Sequence, residues 1–258
     1  MRIYTILPFV AAFLFSFTAF AQDDRTPALE RASEKGLEYS MRAGFNVGGS
    51  SPLPLPEEIR EVKGFNPGMN LFIEGNVTKW FDERWGLVTG LRLENKAMHT
   101  RARVKNYGMR ISQPGEPPVS GRWTGSVKTD FNNSYITLPV LAAYKIHRRV
   151  KLQGGFFFSY VTNRQFQGEV YDGYLRDGVP TGNKTVIDNG QRAFYDFTED
   201  LRRFSWGVQA GAEWRAFRHF TVSGYLTWGI NDIFEKDFDT ISFGMYPIYA
   251  NIGFGYVF

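Results

Sequence analysis

The chain has no cysteine and only three histidines in 258 residues. The first absence excludes a disulfide framework and any thiolate metal site. The second leaves little for a histidine-based zinc set or an imidazole base. After the first twenty residues no apolar run is long enough for a spanning helix, and the mean hydropathy is slightly negative at −0.29. A formal charge of +4, with no basic stripe along any helical stretch, argues against nucleic acid as a partner. What the chain does have is 17% aromatic residues and 27 glycines, and how they are spaced carries most of the information.

The first residues read as an export signal. Arg2 opens a positive region, Ile6 to Phe17 is almost continuously apolar, and Ala19, Phe20 and Ala21 supply a small-residue cleavage site, which predicts removal of residues 1–21 after Ala21. Residues 22–37 would be a periplasmic lead-in, in which Ala28 to Lys35 form either a short helix, with Thr26 as its cap and Pro27 in its first turn, or a loose segment. Residues 38–258 then form one domain.

From Tyr39 onward, alternate residues are apolar. Tyr39, Met41, Ala43, Phe45 and Val47 form one row; Leu71, Ile73 and Val77 the next; then Trp85, Leu87, Leu91 and Leu93. Rows starting at Ile136, Val150, Phe204, Phe220 and Ile248 complete a count of eight strands. The connections alternate too: "FDER", "HRR" and "FRH" are short, whereas Gly48 to Pro67, Thr100 to Asn133, Arg164 to Arg203 and Asp232 to Phe243 are long. Tyr39, Trp80, Trp85, Trp206, Trp214, Trp228, Tyr246 and Phe258 fall toward row ends, as in aromatic girdles at membrane interfaces. Hydrocarbon offers a backbone no hydrogen-bond partner, so such strands must close on themselves. The fold predicted is an all-β, antiparallel, up-and-down transmembrane barrel of eight strands, with long extracellular loops and short periplasmic turns. Pairing of "RARVKNYG" with "GRWTGSVKT" above the membrane would raise the count to ten, and the first loop would hold a helical turn after its prolines.

Three stretches resemble a known family. "YITLPVLAAYKI" is similar to the Tyr-x-x-x-Pro-aliphatic strand of the PorT-like outer-membrane β-barrels of Bacteroidota, "RFSWGVQAGAEWRAFRHFTVSGYLTWGIND" to the hairpin after their third loop, and "ANIGFGYVF" to their closing strand. The resemblance implies an outer-membrane location and a barrel; most members have no defined activity, and one branch serves protein secretion. It also implies that Phe254, Tyr256 and Phe258 act as the signal read by the barrel-assembly machinery.

Strand phase directs Arg42, Glu74, Arg92, Glu94, Lys96, Lys145, Lys151, Glu213 and Arg215 to the lumen. Eight strands leave room for little beyond side chains, so these charges are expected to form a paired plug and not an ion path. An unpaired charge there would be costly, so Arg42, Arg92 and Arg215 are expected to pair with Glu74, Glu94 and Glu213. His99 beside Ser112 or Asp130 is the one arrangement suggesting a hydrolase, and no nucleophile motif accompanies it. Asp172, Asp177, Asp188, Asp196, Glu199 and Asp200 crowd the third loop without regular ligand spacing, which reads as solvated charge. Trp123, Tyr171, Tyr174 and Tyr195 are either recognition rings or packing between loops. No catalytic residue, metal or cofactor is called for. The partners implied are outer-membrane lipid and lipopolysaccharide, the secretion and barrel-assembly machinery, and an envelope or extracellular partner reached through the loops; a narrow porin and a lipid-modifying hydrolase are the competing roles.

Overall fold

Each alternating stretch is a strand in the computed structural model, which describes residues 35–113, 117–178 and 182–258. The strands are β1 (Leu37–Pro52), β2 (Ile59–Asn66), β3 (Asn70–Trp80), β4 (Trp85–Ile111), β5 (Val119–His147), β6 (Val150–Asn163), β7 (Phe166–Asp177), β8 (Lys184–Ile187), β9 (Ala193–Asp196), β10 (Phe204–Arg215), β11 (Phe220–Gly229) and β12 (Met245–Val257). The export signal and most of the lead-in lie outside the described residues.

Antiparallel ladders run from β1 to β3, β4, β5, β6, β10, β11 and β12, and β12 pairs back with β1 from Ser40↔Val257 to Pro52↔Met245. This closed ring of eight removes every sheet edge at membrane depth, which the absence of water there demands. Phe258 extends the closing ladder, its backbone N–H donating to Tyr39 O at 3.0 Å.

The other four strands stand outside the ring. The 27 residues of β4 and 29 of β5 are far more than the roughly 9–11 a tilted strand needs to span a bilayer. Their distal halves continue as a hairpin, Thr100↔Thr129 to Ile111↔Val119, on the side opposite the short turns. There β2 adds to β4, β7 adds to β5, and β8 and β9 add to β7. The pairing above the membrane of "RARVKNYG" with "GRWTGSVKT" is therefore present, as an extension of two wall strands. Where a helical turn was expected in the first loop, β1 runs on to Pro52 and β2 begins at Ile59; no helix occurs among the described residues. Pro52, Pro54 and Pro56 hold the residues before them extended, and the distal edge of β4 offers β2 a ladder.

The extracellular sheet has its own apolar core. Met98, Val104 and Met109 of β4, Trp123 and Phe131 of β5, Phe166 and Val170 of β7, Tyr195, Phe197 and Phe234 pack together. Phe166 meets Phe234 at 5.1 Å between ring centres, and Phe234 stacks on Phe238 at 4.6 Å, within the range where aromatic pairs attract beyond simple burial.

Candidate functional site

Inward-facing residues of adjacent strands fall into register and form a polar belt around the bore. Arg42 lies opposite Glu74, Glu74 opposite Arg92, Arg92 opposite Thr137, and Thr137 opposite Ser159. Directly opposed side chains in a ladder sit close enough to interact, so alternating charge along this belt produces ion pairs. Arg42 Nη2 donates to Glu74 Oε1 at 2.7 Å, and Arg92 Nε donates to the other oxygen of the same carboxylate. Glu94 accepts from Lys96 Nζ at 3.0 Å, from Thr137 Oγ1 at 2.8 Å and from Asn46 Nδ2 at 3.1 Å. Glu74 and Arg92 are each only 1% exposed.

Three cations, Arg42, Arg92 and Lys96, thus share two carboxylates. Ring faces supply the remaining negative potential: the Arg42 guanidinium lies 4.2 Å from the Tyr225 ring centre, and Lys96 Nζ lies 4.9 Å from that of Tyr135 and 5.4 Å from that of Tyr249. Several contacts also cross the bore. Arg92 Nη2 of β4 donates to Gln209 Oε1 of β10 at 2.8 Å, and Tyr225 Oη of β11 donates to Gln153 Oε1 of β6 at 2.8 Å. These bonds join strands that are not neighbours in the ring, so the lumen is filled at mid-height.

A second charged group lies at the periplasmic mouth, where it lines a cavity of about 280 Å³. Lys151 Nζ lies 2.9 Å from Glu213 and 3.1 Å from Glu38, and Arg215 Nη2 lies 3.0 Å from Glu38. The expected pairing of Arg215 with Glu213 is therefore corrected: Lys151 takes Glu213, and the stagger of the barrel brings Glu38 to Arg215 instead. Glu38, Gln209 and Thr137 belong to the network although no charge pattern singled them out. Trp80, expected in a girdle, points inward, where Val88, Leu141 and Ala143 pack against it and Lys145 Nζ lies 3.6 Å from its ring centre. Trp85, Trp214, Trp228 and Phe258 do face outward and are about half exposed.

The loop aromatics divide. Trp123 (0% exposed) and Tyr195 (4%) lie inside the extracellular core, so the recognition reading is corrected for both. Burial pushes the Tyr195 phenol well above its usual pKa, and its hydroxyl bonds Thr129 Oγ1 at 2.6 Å and Lys128 O at 3.0 Å. Tyr171 and Tyr174 stay half-buried among cations, with Lys184 Nζ 4.3 Å from the Tyr174 ring centre and the Arg192 guanidinium 5.7 Å from that of Tyr171.

His99 Nδ1 lies 2.6 Å from Asp130 Oδ1 on the outward face of the extracellular hairpin. Ser112 sits beyond the distal end of β4, bridged to Phe194, so it is out of reach of the pair. Among the third-loop carboxylates Asp200 pairs with Arg110 at 3.0 Å and Glu199 with Arg164 at 3.1 Å; no cluster of three or more metal-ligating side chains occurs among the described residues. At the tail, Phe254 and Phe258 face outward and Tyr256 stacks on His219 at 5.2 Å.

A closed eight-stranded wall with an apolar exterior and a filled, charged bore defines an outer-membrane β-barrel. Residues 20–235 match the model of the outer membrane protein beta-barrel domain, and the chain belongs to that family. Among solved structures it is similar to Ail, the attachment invasion locus protein of Yersinia pestis, solved with the heparin analogue sucrose octasulfate. Identity is 12%, with 86% of this chain and 99% of that one covered and a TM-score of 0.39. It is also similar to Neisserial surface protein A (10% identity, 86% and 96% covered, TM-score 0.33) and to OprG of Pseudomonas aeruginosa (14% identity, 87% and 97% covered, TM-score 0.32). Comparison with curated protein sequences gives no match.

Proposed function

We propose that the protein is a non-conducting, non-enzymatic barrel that anchors a folded extracellular sheet, and that this sheet is the interaction surface. The observation carrying the first half is the bond from Arg92 to Gln209 across the bore, set in a belt of paired charges. The second half rests on the extracellular core, which makes the loops a rigid platform. On that platform Tyr171 and Tyr174, flanked by Arg176, Lys184 and Arg192, are the recognition residues, and an anionic glycolipid such as lipopolysaccharide suits their mixture of rings and cations. The finer reading extends this: a member of the PorT-like branch in Bacteroidota, exported by a signal cut after Ala21 and acting on an envelope partner.

The purified protein tests both halves at once. In a planar bilayer it should give no stable single-channel steps, and on immobilised lipopolysaccharide it should bind in a manner weakened by added salt. Large steady conductance steps would refute the plug; salt-insensitive or absent binding would refute the surface. The closing aromatics Phe254, Tyr256 and Phe258 are assigned to recognition during assembly. Deletion of Phe258 should lower outer-membrane yield by more than the loss of one half-exposed ring explains, and an unchanged yield counts against this role.

A further inference from the structure

The wall has a discontinuity just above the membrane. The ladder between β1 and β3 ends at Asn46↔Asn70, while β1 continues to Pro52 paired only with β12. Further out, the place of β3 beside β4 is taken by β2, from Asn66↔His99 to Ile59↔Val104. No ladder joins β1 to β2 among the described residues, so residues 47–52 and β2 face each other without pairing, the Ser50 N–H donating instead to Met98 Sδ at 3.3 Å. Between them lies a cavity of about 350 Å³.

Its lining carries no charged side chain. Ala102 and Val104 of β4, Val62 and Phe65 of β2 and Phe243 form its walls, and hydroxyls such as Thr100 Oγ1 are its only polar side-chain atoms. Gly49 lets the Phe65 ring and Met98 Sδ lie against the β1 backbone at one end of the cavity, because a Cβ there would lie 2.9 Å from both. The cavity is continuous with the lipid-facing surface. Ile248 lines it and belongs to the outward row of β12 that continues through Ile252 to Phe254. On the other side Met69, 81% exposed, leads from the lipid-facing residues Leu71 and Ile73 up to Phe65, Val62 and Leu55, all more than half exposed. Such a run of apolar side chains above the hydrocarbon layer costs free energy unless something apolar lies along it.

We infer that this cavity takes one alkyl chain of an outer-leaflet lipid, which enters sideways through the gap between β1 and β2. A methylene fills about as much space as a water, roughly 30 Å³, so the cavity accommodates about a dozen chain carbons. With no charge inside, the site holds the tail and leaves the headgroup at its mouth.

Photo-labelling decides the matter. The full protein is reconstituted in liposomes containing a phosphatidylglycerol whose acyl chain ends in a diazirine, irradiated, and mapped by peptide mass spectrometry. Adducts are expected on Ile59–Asn66 and on Met98–Val104. Ala102→Phe, which fills the cavity, and Val62→Trp, which blocks its mouth on an exposed strand, should each reduce them roughly tenfold, the factor that about 1.4 kcal/mol of lost contact brings. The shift in gel migration on heating reports that each variant is folded. Adducts confined in the wild type to wall residues such as Leu71, Leu93 and Phe254 would overturn the assignment. So would labelling from a diazirine fatty acid added in water but not from the phospholipid, or undiminished labelling of both folded variants.

Discussion

Up to Lys96, β4 buries Arg92, Glu94 and Lys96 and turns Leu91 and Leu93 outward; beyond it, the same strand buries Met98 and Val104 and turns His99, Arg101 and Arg103 outward. Its neighbour does the same: β5 buries Thr137 and faces Ile136 and Leu138 outward near the membrane, then buries Phe131, Val127 and Trp123 and leaves Arg122, Thr124, Lys128 and Asp130 half-buried on the other face. The strand phase hardly changes while the chemistry of its two faces is exchanged. The solvent explains the exchange. Where lipid is outside, the apolar face turns out and polar groups fill a bore that water cannot enter freely; where water is outside, the ordinary hydrophobic effect returns. Asparagines mark the level of inversion: Asn95 Nδ2 donates to Asn132 Oδ1 at 2.6 Å, and Asn70 Nδ2 donates to Ala97 O at 2.9 Å. A short amide side chain that both donates and accepts suits a level where neither face is fully dry.

The two interiors should therefore fail differently. Glu74→Ala has the largest expected effect, because it strands Arg42 and Arg92 together; loss of one partner of a buried pair costs about 3–5 kcal/mol. The transition of the whole barrel, followed by gel migration on heating, should move to lower denaturant. An unchanged midpoint would mean that Arg42 and Arg92 are satisfied without that carboxylate. Trp123→Ala removes a large ring from the other core at a cost of about 3–5 kcal/mol, but its damage should stay outside the membrane. New protease cuts in β7 to β9 with a barrel that still shows heat-dependent migration are expected; collapse of both regions together would show that they fold as one unit.

Alternation made the ring readable from residues alone. Every outward row from Tyr39 to Phe258 faces outward, because period two and the apolar character of lipid point the same way there. The same exchange of faces hid the extracellular sheet. Trp123 and Tyr195 lie among Arg122, Thr124, Gln191 and Asp196, and a ring in polar company reads as a surface ring unless the inward phase is carried on from Thr137. Pairing across the bore was hidden for another reason. Neighbours such as Arg42 and Glu74 follow from register, but Arg92 with Gln209 and Arg215 with Glu38 depend on the stagger of the closed barrel. Of the four extra strands, β8 and β9 were unreadable because they have four residues each, too few for any period to show.

The smallest effect belongs at His99, on the water-facing side just beyond the inversion. Its bond to Asp130 is short, yet His99 is half exposed and Asp130 also lies 3.7 Å from Lys128 Nζ, so water and the lysine take up what the imidazole releases. Exposed pairs of this kind contribute about 0–1 kcal/mol. His99→Ala should therefore leave the unfolding midpoint of the extracellular sheet almost unmoved, while Trp123→Ala in the same hairpin shifts it strongly. A loss at His99 as large as that at Trp123 would place Asp130 in a buried role that its geometry does not suggest. Loss of a hydrolytic activity on lipid or peptide, with the midpoint intact, would instead make His99 and Asp130 a base awaiting a water nucleophile. The contrast between the two residues thus separates a surface that only recognises from one that reacts.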